Sequence, residues 1–174
     1  MATTAPGVLA PGKSLIDIFA KITGTSQGVI KGESQDQKHK GEIQVESFIW
    51  EVMQPIEKTS GLAGGKRNYS PFVFVMATQT ASAHLIQAAI TGEHLKEVVI
   101  TCRKAGKEQQ EYLIYKMQTC LVSKFESGYL VDNTAIPHDR VSIVFRQFEC
   151  SIRSQNPDGS LGGPVMVADQ LGVH

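Results

Sequence analysis

The chain has no surplus of charge of either sign: 17 Lys and Arg stand against 17 Asp and Glu in 174 residues. A protein that neutralises phosphates with excess basic side chains is thereby disfavoured, and an acidic solvating tail is excluded by the same balance. Long apolar runs are also missing. The longest, Phe72 to Ala77, has six residues, whereas a membrane-crossing helix needs about twenty. Met1 to Ser14 is rich in Ala, Thr, Gly and Pro. It has neither a basic start nor an apolar stretch of about 7–15 residues, so it does not read as a cleavable secretion signal. Cysteine is scarce: Cys102, Cys120 and Cys150 are the three. They cannot all pair with one another, and no Cys-x-x-Cys or Cys-x-x-His spacing supports a metal. Each falls in a strand-like stretch, which reads as small buried thiols folded in a reducing compartment, with a disulfide or a metal site as the alternatives. What is present in ordinary amount is apolar material, 41% of the residues. That is enough for one core and too much for a disordered chain.

Signals of catalysis are equally sparse. There is no Gly-x-Ser-x-Gly elbow, no Gly-x-x-x-x-Gly-Lys-Ser/Thr loop and no Gly-x-Gly-x-x-Gly turn. The histidines His39, His84, His94, His138 and His174 show no His-x-x-x-His spacing. Gly64-Gly65-Lys66-Arg67 looks superficially like a phosphate cradle, but no hydroxyl residue follows the lysine and no helical pattern succeeds it. Glu33 and Asp36 lie in a charged turn, Lys31 to Lys38, that reads as a solvated loop. No catalytic residue, cofactor-binding residue or metal ligand is assigned.

The positive signals are mostly strands, read from period-two alternation. Leu15 to Ile22 is the first. Glu42 to Gln54 is the second, with a change of phase between Val45 and Phe48 near Glu46-Ser47. The same slip recurs between Val141-Ile143-Phe145 and Phe148-Cys150-Ile152. An extra residue at each slip would bend the strand, which suits a curved sheet that closes on itself; alternatively, each marks a strand crossing between the sheets of a sandwich. Phe72 to Met76 is apolar on both faces. Val98 to Arg103 and Tyr112 to Phe125 form a hairpin around Lys104 to Gln110. Ser82 to Ile90 breaks the pattern: Ala81, Leu85, Ile86, Ala89 and Ile90 fall at helical spacing, with Thr80 or Ser82 as N-cap and Gly92 as the stop. Residues 1–14 read as a flexible arm, 15–152 as the β body, and 153–174 as a tail or extended segment opening with the turn Gln155-Asn156-Pro157-Asp158-Gly159. The fold class is mainly β: a small barrel of two antiparallel sheets with one short α-helix on its side. Between two strong strands, Glu57 to Arg67 forms a loop of 11 residues, where hairpin loops usually take about two to five. Its Gly61, Gly64 and Gly65 permit unusual backbone angles, and Leu62 offers an apolar contact.

Three groups of residues, in order and spacing, resemble the haemolysin-coregulated protein (Hcp) family of type VI secretion over roughly Leu15 to Ile152. The first is Ile30 to Asp36, His39, Gly41-Glu42-Ile43, Val45, Trp50 and Gln54-Pro55. The second is Thr91-Gly92, His94, Val99 to Thr101 and Arg103 to Gly106. The third is Glu111-Tyr112-Leu113 followed by Leu121-Val122-Ser123. The resemblance implies a phage tail-tube-like barrel that assembles as a homo-hexamer, with rings that stack into a tube. It also implies a spike protein at the tube tip, a surrounding contractile sheath and effector proteins carried in the lumen. Catalysis and cofactors are not implied, nor are nucleic acid or membrane insertion. The protein would reside in the bacterial cytoplasm before firing and then leave through the type VI apparatus without a cleavable signal. Departures from the family pattern fall at Phe48, Glu51, Ala77 to Thr80 and the mixed composition of loop 57–67.

A ring needs one patch of a subunit to meet a different patch of the next, and sheet edges supply the unpaired N–H and C=O groups for it. Glu42 to Gln54 and Val141 to Ile152 are expected to contribute to the wall. From phase alone Gln44, Glu46, Ser142 and Arg146 are lumen-facing candidates. Leu62, Gly64, Gly65, Lys66 and Arg67 are candidates for the subunit interface. Trp50 is either a core residue against the helix stripe or an exposed interface contact. The competing readings are a monomeric β-barrel that binds a small ligand inside and a secreted hydrolase. Trp50, Phe72, Phe74 and Phe145 would fill the interior against the first, and the short stretch after Ile152 is too small for an effector domain.

Overall fold

The structure, a computed structural model, describes residues 16–104, 110–129 and 136–171. The N-terminal arm and most of the loop between Lys104 and Gln110 lie outside the described residues. The strands are β1 (Ile16–Gly24), β2 (Val29–Ile30), β3 (Ile43–Val45), β4 (Ser47–Ile49), β5 (Val52–Met53), β6 (Asn68–Tyr69) and β7 (Phe72–Ala77). After helix α1 (Thr80–Thr91) come β8 (His94–Lys104), β9 (Glu111–Tyr129), β10 (His138–Val144), β11 (Gln147–Gln155) and β12 (Leu161–Gln170). Ten strands belong to one antiparallel sheet ordered β2-β1-β8-β9-β10-β7-β4, while β5 and β6 form a separate two-stranded ribbon. The expected pair of sheets is thus one large sheet folded over itself, plus that ribbon.

Closure occurs at Glu46. β3 pairs with β1 through Ile18↔Val45 and Ala20↔Ile43. One residue later β4 pairs with β7 through Ser47↔Val75 and Ile49↔Val73, and the Glu46 N–H donates to the Val75 carbonyl at 2.8 Å. The second expected strand is therefore broken into β3, β4 and β5. Its phase slip is the point where the chain changes partner and joins the two ends of the sheet. The other slip belongs to a crease across three strands. Register is the same on either side of it, with Leu95↔Cys120 and Val98↔Met117 between β8 and β9. Val144↔Leu121 and Gln147↔Gln118 hold across it between β9 and β10–β11. Yet the inward phase flips from Tyr115 and Met117 to Cys120 and Val122 in β9, and from Phe145 to Phe148 beside it. Thr119, with φ 52°, sits in this row in the left-handed region, and the Arg146 N–H donates to the Gln118 carbonyl at 3.2 Å. Three neighbouring strands that invert together keep their ladder while the sheet bends round the core.

That core is filled. Phe72, Phe74, Met76, Ile22, Val98, Ile100, Met117, Val141 and Ile143 are all fully buried. In β7 only alternate residues point inward; Val73 and Val75 are half-buried on the other face. The helix presents Ala81, Leu85 and Ala88 to the core, while Ile86 and Ile90 of the expected stripe stay exposed at 39% and 75%. Its N-cap is Gln79, not Thr80 or Ser82. The Gln79 N–H donates to Ser82 Oγ at 3.0 Å, and Glu33 Oε1 accepts from the Thr80 N–H at 3.1 Å. Gly92 closes the helix at φ 66°, as expected. The segment after Arg153, read as a tail, continues as the β11–β12 hairpin, with Cys150↔Val167 and Ile152↔Val165 in register.

One buried carboxylate ties these pieces together. Asp139 is fully buried and accepts hydroxyl bonds from Thr78 at 2.9 Å, Ser82 at 2.5 Å and Ser127 at 2.5 Å. It thereby links the end of β7, the first turn of α1, β9 and β10. Asp139→Ala strands three buried hydroxyls, and a loss of about 3 kcal/mol of unfolding free energy is expected in urea titration.

Candidate assembly surfaces

The long loop is an ordered ribbon. Beyond β5 and β6, Ile56 bridges Ala63, the Glu57 N–H donates to the Leu62 carbonyl at 2.8 Å, and the Gly64 N–H donates to the Pro55 carbonyl at 2.8 Å. Gly61 turns the tip at φ 69°. At Gly64 a Cβ would lie 2.8 Å from the Glu57 nitrogen, so the two arms pass too closely for a side chain. Leu62 and Ile56 stand 70% and 67% exposed, and Val52 and Met53 are also exposed. Of the interface candidates, Leu62, Gly64, Gly65 and Lys66 lie on this ribbon among exposed residues. Arg67 at its root makes a bidentate ion pair with Asp169 of β12, and Tyr69 Oη donates to the same carboxylate at 2.7 Å. The Arg67 guanidinium holds the Asp169 carboxyl below its ordinary range. Arg67 therefore fastens the ribbon to the sheet.

Trp50 belongs to neither half of its expected alternatives in full. It is half-buried at the foot of the ribbon, away from the helix, with its ring centroid 4.6 Å from Phe148, 5.6 Å from Tyr115 and 6.2 Å from Tyr69. This aromatic group stiffens the base from which the ribbon projects. Beside it the β11–β12 hairpin exposes Val165, Val167 and Met166 at 70%, 59% and 57%. Large apolar residues concentrated on two projecting elements mark interaction surfaces in soluble proteins.

The four lumen candidates are dispersed. Gln44 faces out from β3 opposite Phe19. Glu46, at the closure point, reaches across β7 to His138 Nε2 at 2.6 Å. Arg146 is exposed at the crease. Ser142 lies on the outer face of β10 but is 7% exposed, between Lys124 and Val73.

The charged turn 31–38 hides the polar centre that the residue pattern did not reveal. Arg103, 1% exposed, donates to Asp36 at 3.0 and 2.6 Å and to Asp17 at 3.0 Å. Its guanidinium lies 5.0 Å from the Phe19 ring centroid. His39 stacks on the same ring at 4.2 Å, with its nitrogens 2.8 Å from Glu42 and 3.3 Å from Glu111. Nothing in a Lys-rich loop distinguishes such a buried histidine from a solvated one; the partner Arg103 is 64 residues away in sequence. This stack clamps loop 31–42 over β1. Arg103, helped by the Lys38 and His39 N–H groups, holds the Asp36 carboxyl well below the usual carboxylate range. The unfolded chain then binds more protons than the folded one. Stability from this group is full above the free aspartate value of about 3.9 and is lost as pH falls below it. Asp36→Asn is expected to cost roughly 3 kcal/mol at pH 7 and to flatten the acid limb of stability against pH, as read by denaturant titration from about pH 6 to pH 3.

The site chemistry is that of contact. Among the described residues no group of three His, Cys, Asp or Glu side chains is placed to hold a metal ion. The three cysteines are buried and unpaired, and burial pushes the thiols of Cys102 up to about 11 and Cys120 up to about 12, far from the range of a reactive thiolate. No described helix is long and apolar enough to cross a membrane.

A closed antiparallel barrel with one flanking helix and projecting apolar ribbons defines a β protein built for self-contact. The family model "Type VI secretion system effector, Hcp" matches residues 19–152, and the chain belongs to the Hcp family. It is 33% identical over 154 residues to the protein hcp1 of Pseudomonas aeruginosa, covering 86% of this chain and 91% of that one. It is 30% identical over 106 residues to the major exported protein of the same organism, covering 54% and 62%. Among solved structures it matches Hcp1 of Salmonella typhimurium with a TM-score of 0.74 at 27% identity, over 90% of this chain and 95% of that one. A structure described as a type six secretion system protein matches with a TM-score of 0.80 at 22% identity, over 90% and 96%.

Proposed function

We propose that this chain is the ring-forming subunit of a type VI secretion tube. Six copies close into a ring, rings stack, and the lumen carries or shields effectors on their way out of the bacterial cytoplasm, beneath a spike and inside a contractile sheath. Its work is assembly, without a chemical step and without a cofactor. The observation that supports this reading most is the pairing of family membership with the apolar ribbon: Val52, Met53, Ile56 and Leu62 are held in an ordered hairpin yet left to solvent. A subunit acting alone gains nothing from that exposure, whereas one that docks its ribbon on a neighbour in the same ring or the next buries it.

The small-ligand reading is not favoured, because the barrel interior is packed with Phe72, Phe74, Met76, Ile100, Met117 and Ile143. Burial of a leucine side chain contributes about 1.5–3 kcal/mol, so Leu62→Asp should weaken assembly by about tenfold or more while circular dichroism and thermal unfolding of the monomer stay unchanged. Sedimentation velocity reads this directly; assembly equal to that of the unaltered chain removes the ribbon from the interface.

A further inference from the structure

The closed sheet leaves two strand edges without a partner among the described residues, and they are of complementary direction. β9 pairs with β8 only as far as Leu121, opposite His94. From Val122 to Tyr129 it pairs with β10 on one side, while its other side faces α1 across a groove lined by Ile86, Ala89, Ile90, Val122 and Phe125. β4 pairs with β7 and with no strand on its other side. Between these edges run β4, β7, β10 and the second half of β9, each antiparallel to the next. An even number of alternating strands has a consequence: the outermost two run in opposite directions. The β9 edge of one copy can therefore accept the β4 edge of another as one more antiparallel neighbour, with no change of sense at the junction.

We infer that the ring closes by this junction, β4 of one copy against Val122–Tyr129 of β9 in the next, so that the four-stranded segment repeats around the opening. The inference rests on the ring reading and names the edges that carry it. The contact is heterologous and leaves no free edge in a closed ring, which is what a bounded assembly requires. It also covers Ile86 and Ile90, exposed on the helix flank of the β9 edge, and Ile49, exposed at 70% on β4. The face turned to the opening is then set by register. Lys124, Ser142, Val73 and Ile49 form one row, and Glu126, Arg140, Val75 and Ser47 the next. Lys124 pairs with Glu126 at 2.9 Å, so the wall is mixed in charge. Of the four residues chosen from phase, Ser142 lies in this wall and Glu46 is clasped at its rim by His138.

Cysteine cross-linking tests the junction. Directly opposed residues of an antiparallel pair have Cα atoms about 4.5–5.5 Å apart, within disulfide reach, and the native thiols are buried. Two double variants bracket the register: Lys124→Cys with Ile49→Cys, and Glu126→Cys with Ile49→Cys. On oxidation at least one should give a ladder of linked chains ending at the closed ring, and no single variant should. Hydrogen exchange on the unaltered protein is the second measurement. Amides of 122–129 and 47–49 should become at least tenfold slower on going from dilute single copies to the assembled state. Rings that form without any ladder, or with exchange at these amides unchanged, overturn the edge assignment and leave the ring reading standing. An unaltered protein that never assembles overturns both.

Discussion

The structure turns on Glu46, the single residue between two partnerships. Before it the chain is bonded to β1, after it to β7, and this handover makes a barrel from what would otherwise be an open sheet. Because the transfer happens in one residue, β4 arrives at β7 as a short strand with one side bonded. The same step that completes the core thus leaves an edge at the surface. His138, itself buried, holds the Glu46 side chain at 2.6 Å and keeps the handover in place. Next to His138, Asp139 gathers three hydroxyls from three other elements. The polar fastening of the barrel and the position of its outer edge are consequently one local arrangement.

Around this closure the apolar residues divide into two sets. One fills the barrel completely. The other sits on the ribbon, the C-terminal hairpin and the outer helix face, where solvent contact is costly unless a partner covers it. The Arg67–Asp169 pair and the Trp50 aromatic group explain how the ribbon can project and still hold a defined position. A floppy excursion would lose on docking much of the order that a preformed ribbon already has. Family membership supplies the biological setting, and the geometry gives that setting a material basis in edges and apolar tips.

Much of this was legible in the residues. Alternation located most strands, and both phase slips fell at points where the sheet bends or closes, because a core-facing side chain must change parity there. Gly92 announced the end of the helix, and the length and glycines of loop 57–67 announced an element of its own. The helix stripe was only half right: Ile86 and Ile90 satisfy the helical period as well as Leu85 does, and periodicity alone does not say which edge of a wide stripe meets the core. The Arg103–Asp36–Asp17 group and the Phe19–His39 stack were invisible, since each joins residues far apart in sequence inside what reads as a solvated turn. Lumen-facing positions were chosen one strand at a time. The face they belong to exists only once β4, β7, β10 and β9 are set side by side.

The central claim is that this protein acts by joining copies of itself around an opening. Electron microscopy of the purified full chain over a range of concentrations, with native mass spectrometry on the same samples, tests it most directly. The account predicts closed rings of uniform size with a central hole, in mass equilibrium with single copies on dilution. Particles of single-copy mass at every concentration would contradict it.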